Sequence, residues 1–257
     1  MPDRDPATRY EDRAGLYARH RPGYPDALRA ALAAMGILRA GDDVADIGSG
    51  TGLLSELLLS AGCRVHAVEP NAKMREEAER RFAGEPRFIS VDGRAERTTL
   101  PDASVDVVAA GQAFHWFDPV AARAEFVRIL RSPGVALLIW NVRRVDASLF
   151  MSDCERLIAQ HATDPSIVGD HQPDEATLAR FFGGAAPPQP LLFRHHQTLD
   201  QEGLTGRLLS CSFVPGPAEP GRDAMIEAIH ALFARHQEHG TVRFDYETRA
   251  YTGIMKA

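Results

Sequence analysis

A chain of 257 residues with 44% hydrophobic and 25% charged residues can bury a sizeable core, as one large α/β domain or a domain with a modest insertion. Its 35 acidic against 29 basic residues argue against a surface built to track phosphates, so nucleic acid is not an expected partner. Cys63, Cys154 and Cys211 are odd in number and widely spaced, which fits a reducing compartment and neither a disulfide framework nor a zinc site. The N-terminal residues lack the apolar centre of a secretory signal. No apolar run approaches the ~18 residues that span a bilayer, so a soluble cytoplasmic protein without a membrane partner is expected.

In chain order, residues 1–12 are polar and expected to fray, and 25–38 read as an amphipathic helix with Leu28, Leu32 and Met35 on one face. A strand over 42–48 ends in glycines and leads into a helix over 51–62, with Gly62 as its cap. A second strand over 63–70 is followed by a helix over 71–82 with Asn71 as N-cap. Strands follow over 87–93 and 104–114, then a helix over 118–131 opened by Asp118 and Pro119 and closed by Pro133-Gly134. Residues 135–141 are apolar on both faces, the mark of a strand in a covered parallel sheet.

Beyond Asn141 the pattern changes. Helices are expected over 147–162, 174–182, 200–211 and 222–238, with strands over 192–199 and 242–253. The loops 183–190 and 214–221 are short connectors, so the whole of 1–257 is taken as one domain. Within it, 1–40 forms a lid and helix, 41–141 a cofactor-binding core, and 142–257 a substrate cover with the C-terminal strands.

The segment Asp46-Ile47-Gly48-Ser49-Gly50-Thr51-Gly52 joins a strand to a helix, and its glycines allow a sharp turn with a ligand lying close to the backbone. Glu69 closes the next strand, where a carboxylate can accept hydrogen bonds from both hydroxyls of a ribose. A plain turn and a strand-end acid would explain either feature alone; in register they point to a nucleoside cofactor at the sheet's C-terminal edge. The dinucleotide fingerprint needs a third glycine where this chain has Leu53, which leaves an NAD(P)-dependent oxidoreductase as an alternative reading, beside a non-catalytic cofactor-binding protein.

Together these segments resemble the class I S-adenosylmethionine-dependent methyltransferases, in the small-molecule branch that includes trans-aconitate methyltransferase-like proteins. The resemblance runs from about Tyr17 to Asn141 and more weakly beyond. It rests on VADIGSGTG, HAVEPNAKM, VDGRAER, LYARHRPGYP and, most specifically, AGQAFHWFD at 110–118. It implies a seven-stranded, mostly parallel Rossmann-like sheet with helices on both faces, an antiparallel last strand, an N-terminal lid and a helical cover.

For the cofactor S-adenosyl-L-methionine, the resemblance implies contacts from Gly48, Ser49, Gly50 and the ribose acid Glu69, with Pro70 and Met74 near the adenine. Backbone at Ala95 would meet the adenine edge, and Arg94 stands where many relatives carry an acid for the adenine amino group. Gln112 completes the cofactor set, while Tyr17 and Arg21 would approach the methionine end, Arg21 as a carboxylate partner.

Methyl transfer to an O, N or C atom of a small acceptor asks the protein chiefly to align the reactants and exclude water. Tyr17, Phe114, Trp116 and Phe117 could offer ring faces to a sulfonium, or be core. His115 is placed to take a proton from a hydroxyl or amine, or else to hold the loop; a carboxylate acceptor would need no base. His161, His171 and the pair His195-His196 lack partners at ligand spacing, so no metal is expected, and no GxSxG elbow is present. Phe193, Phe213, Met225, Phe233 and Phe244 read as core of the cover.

Overall fold

A computed structural model describes residues 13–163 and 172–255. Its strands are β1 (Asp43–Ile47), β2 (Arg64–Val68), β3 (Phe88–Val91), β4 (Val105–Gly111), β5 (Leu130–Arg143), β6 (Leu191–Leu199) and β7 (Val242–Met255). They form one seven-stranded sheet in the order β3-β2-β1-β4-β5-β7-β6. β1 pairs in parallel with β2 and β4, β2 with β3, and β4 with β5. The sheet is mostly parallel with its last strand antiparallel, as expected. The order reverses between β2 and β4 around β1, and in open α/β sheets a ligand crevice forms outside the strand ends at such a switch point.

The helices are α1 (Ala14–His20), α2 (Asp26–Ala34), α3 (Leu53–Ser60), α4 (Ala72–Arg81), α5 (Pro119–Ile129), α6 (Leu149–His161), α7 (Glu175–Phe182), α8 (Gln201–Leu209) and α9 (Arg222–His236). Side-chain caps start several of them, each satisfying amide groups that a helix leaves orphaned. Asn71 accepts from the Met74 amide, and Asp118 from those of Val120 and Ala121 ahead of Pro119.

Some sequence expectations need correction. Met35 is 54% exposed although Leu28 and Leu32 are buried; it is the C-cap of α2, its amide bonded to the Ala31 carbonyl, and its side chain lies outside the core at the helix end. α5 ends at Ile129, not at Pro133-Gly134, and β5 already begins at Leu130, opposite Val105. β4 ends at Gly111, and residues Phe114–Trp116 form a single 3-10 turn, η1. α1 was not foreseen as a helix. The expectation of fraying over 1–12 and the residue His171 lie outside the described residues.

The chain divides into two compact units. One comprises Gly23–Asn141, Gln172–Phe193 and Thr248–Ala257, and is called the first unit below. Its core packs Leu28, Leu32, Leu58, Val65, Leu137 and Ile139. The second unit comprises Met1–Pro22, Val142–His171 and Arg194–Glu247, with its own core around Met151, Ile158, Leu208, Met225, Phe244 and Tyr246. Phe213, Met225, Phe233 and Phe244 are buried there as core residues. Among the described residues no helix is long and apolar enough to cross a membrane.

Candidate functional site

In the first unit, the segments singled out by the sequence meet at the C-terminal ends of β1, β2 and β4. The chain leaves β1 through Gly48, whose amide donates to the Val68 carbonyl at the end of β2 (2.8 Å). A Cβ on Gly48 would lie 2.6 Å from that of Ala113, with the Phe117 ring 3.5 Å away, so the turn after β1 is packed directly against the segment after β4. Gly50 differs. It adopts φ +56°, which side chains disfavour, yet a Cβ there would meet only Met74 Cε at 3.6 Å. Protein packing leaves that position open, as expected of a backbone cradle for a ligand.

Glu69 is 8% exposed, and both of its carboxylate oxygens are held by backbone. Oε2 accepts from the Gly50 amide (2.9 Å) and Oε1 from the Asn71 amide (2.8 Å). Burial pushes its carboxyl pKa up, and these two amides with the Arg75 guanidinium only partly offset that. Arg75 also donates to the Glu69 carbonyl (2.7 Å) and pairs with Asp92, fixing the start of α4 to the strand end. A carboxylate oriented this way keeps a lone pair on each oxygen for a diol.

Beneath the glycine turn lies a group that sequence reasoning did not single out for a role. Asp46 is fully buried; its Oδ2 accepts from the Ser55 hydroxyl (2.7 Å), while Oδ1 finds no hydrogen-bond donor among the described residues. Burial pushes its pKa up to about 7, helped by the charge of Glu69 and opposed by Ser55. The fold therefore holds a proton on Asp46 at pH values where the unfolded chain, with a pKa of 3.8, has lost it. The stability gained in this way is complete below about pH 4 and is lost as pH rises toward about 7. We expect urea unfolding across that window to show declining stability, and Asp46→Asn, which retains the Ser55 partner, to flatten the decline.

At the end of β4, Gln112 sits at φ +56°, a strained place for a side chain, locked by two bonds. Its amide N–H donates to the Ile139 carbonyl (2.9 Å) and its Nε2 to the Asn141 carbonyl (2.9 Å). Asn141 is held by Thr248 (2.6 Å) and donates to the Gly23 carbonyl (3.0 Å). The Tyr24 hydroxyl lies against Gly111, where a Cβ would come within 2.3 Å of it. In η1, Phe114 is a core residue, edge-on to Trp140, Phe117 and Phe181. His115 is half-buried, its ring tilted against Trp116 at 4.9 Å.

The structure thus brings Gly48, Ser49, Gly50, Glu69 and Met74 together, with the Gln112–Phe117 segment against the same turn. Pro70 is half-buried beside Glu69, and Ala95 is buried on the loop after β3. Arg94 is exposed, its backbone bridged to Arg97. Tyr17 and Arg21 belong to the second unit, where the Arg21 guanidinium lies over the Tyr17 ring at 4.9 Å and donates to the Ser210 carbonyl (3.2 Å).

Residues 45–138 match the methyltransferase domain family. An uncharacterized methyltransferase of Schizosaccharomyces pombe is 31% identical over 240 residues, 92% of each chain. The chain belongs to this methyltransferase family. S-adenosylmethionine is the cofactor the family implies. An uncharacterized methyltransferase of Mycobacterium tuberculosis is 38% identical over 141 residues, 54% of this chain, and the match spans only 55% of that relative's length. A solved structure from Anaeromyxobacter dehalogenans, described as a candidate type II methyltransferase, superposes with a TM-score of 0.65 at 25% identity over 91% of this chain and 98% of its own. Glu69, with both oxygens oriented, and the open position at Gly50 fit a nucleoside-bearing cofactor.

Proposed function

We propose that the protein transfers the methyl group of S-adenosylmethionine to an O, N or C atom of a small-molecule acceptor by in-line displacement. One observation carries this reading: Glu69, with its oxygens tied to Gly50 and Asn71 at the switch point, is a preset partner for a ribose diol. In this reading Gly48, Ser49 and Gly50 give the cofactor a close backbone surface. Pro70 and Met74 flank the adenine, whose edge meets backbone at Ala95, with Arg94 beside it in the place of the usual acid. Gln112 borders the reacting end. Tyr17 and Arg21 are assigned to the methionine end on the family pattern.

When bound, the cofactor supplies an already activated methyl on a sulfonium. The protein's share is alignment and exclusion of water. The Gly48–Gly50 turn and the Gln112–Phe117 segment would hold cofactor and acceptor in line, with no covalent bond to the protein. A proton leaving a hydroxyl or amine acceptor passes to His115. The acid excess of the chain and its three buried free thiols support a small acceptor, not nucleic acid, and a reducing cytoplasm.

A melting experiment separates this reading from a nicotinamide enzyme. S-adenosylhomocysteine at one hundred times its Kd should stabilise the protein by about 2.7 kcal/mol, while NAD(H) at equal concentration should leave the melt unchanged. Stabilisation by NAD(H) as large as that by S-adenosylhomocysteine would sink the cofactor assignment.

A further inference from the structure

Asn141 places a side-chain amide after the apolar residues 135–140 of β5, and the methyl-transfer reading gives it no role. Its polar groups nevertheless reach three distant parts of the first unit. The backbone carbonyl accepts from Gln112 Nε2 (2.9 Å). Oδ1 accepts from the hydroxyl of Thr248 (2.6 Å), a fully buried residue of β7, and Nδ2 donates to the Gly23 carbonyl (3.0 Å). The segment after β4, the middle of β7 and the chain ahead of α2 therefore meet at one residue.

Each of these partners needs to be held. Gln112 keeps φ +56°, and strain of this kind persists only where the surroundings fix it. Both of its bonds run to β5, from its amide to the Ile139 carbonyl (2.9 Å) and from its side chain to Asn141. Gly23 and Tyr24 stand between Pro22 and Pro25, which limit the backbone on either side. A Cβ on Gly23 would meet no described atom within 4 Å, so packing does not fix this residue and the bond from Asn141 does. The Tyr24 hydroxyl lies beside Leu54 at the start of α3: a Cβ on Gly111 would come within 2.3 Å of that hydroxyl and 3.2 Å of Leu54 Cδ2. Tyr24 thus rests between the end of β4 and the helix that the glycine turn leads into. These are the same two parts of the site that touch at Gly48 and Ala113.

We propose that Asn141 is a positioning residue for methyl transfer: braced by Thr248, it holds the Gly23–Tyr24 segment across the end of β4 and so fixes the side of the site where Gln112 borders the reacting end of the cofactor. The inference rests on the S-adenosylmethionine reading of the site. Alignment at the reacting end is what that chemistry asks of the protein, and small displacements there are costly. The bonds that orient Glu69 toward the adenosine half run to Gly50 and Asn71 and do not pass through Asn141. The two halves of the cofactor should therefore respond differently to its loss.

The test is calorimetry of the full chain with S-adenosylhomocysteine and, separately, with adenosine, which keeps the base and ribose but lacks the sulfur and the amino-acid end. Asn141→Asp retains an acceptor for Thr248 but turns a carboxylate oxygen toward the Gly23 carbonyl. It should bind S-adenosylhomocysteine about 3- to 10-fold more weakly, the worth of one hydrogen bond, with adenosine affinity unchanged. Thr248→Val leaves Asn141 Oδ1 without that donor and introduces no charge; it should show the same split. Thr248→Ser, which restores the hydroxyl, should return the wild-type affinity. Circular dichroism checks the fold of each variant, and should Asn141→Asp fail to fold, the Thr248 pair carries the same test. Unchanged S-adenosylhomocysteine affinity in a folded Asn141→Asp overturns the proposal and leaves the cofactor reading standing. Equal losses for both ligands overturn it as well, because Asn141 would then support the whole turn and not the reacting end. A Thr248→Ser that binds as weakly as Thr248→Val puts the loss in packing and overturns the hydrogen-bonded brace. If wild type binds neither ligand, the cofactor reading falls and this proposal falls with it.

Discussion

Glu69→Ala is expected to weaken S-adenosylmethionine binding by about 1.5–3 kcal/mol, roughly 10- to 150-fold in Kd, through loss of charge-assisted hydrogen bonds to the ribose. The variant also strips the Gly50 and Asn71 amides of their acceptor, so some loss of stability accompanies it, and circular dichroism must show that the fold persists. Glu69→Gln is no silent control, because its amide group would oppose one of those two N–H donors. Gly50→Val should be more severe still. It places a β-branched side chain at φ +56° and fills the space that protein atoms leave open, with only Met74 Cε within 4 Å of the new Cβ. Calorimetry that finds unchanged affinity in a folded Glu69→Ala would remove Glu69 from the site, and unchanged affinity in Gly50→Val would contradict the cradle.

The parts of this fold that the sequence announces are those governed by local rules. Apolar runs bounded by glycine and by capping residues such as Asn71 and Asp118 set strands and helices to within a few residues, because their physics is contained in adjacent positions. The glycine turn and Glu69 were legible for the same reason: strand, turn and strand-end acid fall at fixed spacing. What stayed hidden depends on packing between distant segments. Leu130 joins β5 ahead of Pro133 because Val105 pairs with it from across the sheet, and no local signal carries that pairing. Asp46 reads as part of a turn motif until its burial without a donor to Oδ1 is seen. Arg207 looks like an ordinary polar residue of an amphipathic helix; only the rings of Phe244 and Tyr246, far along the chain, show that it is interior.

His115→Ala is expected to lower turnover by about 10²–10⁴-fold while leaving cofactor affinity nearly intact, the effect of removing a general base. The geometry behind this is specific. Gln112 is held at φ +56° by Ile139 and Asn141, Ala113 is packed against Gly48, and η1 then sets the His115 ring against Trp116 at 4.9 Å, half-buried. An imidazole held on that segment is the side chain proposed to take the acceptor's proton. The wild-type rate should therefore rise with pH through one ionisation, because only neutral imidazole accepts the acceptor's proton, and His115→Ala should lose that limb. A residue that merely holds the loop behaves differently: its loss shifts η1 away from the Gly48 turn, so cofactor affinity and turnover fall together and the pH profile keeps its shape. Full activity with an unchanged profile in His115→Ala would exclude the base, and the methyl acceptor would then have to arrive already ionised, with alignment as the protein's remaining contribution.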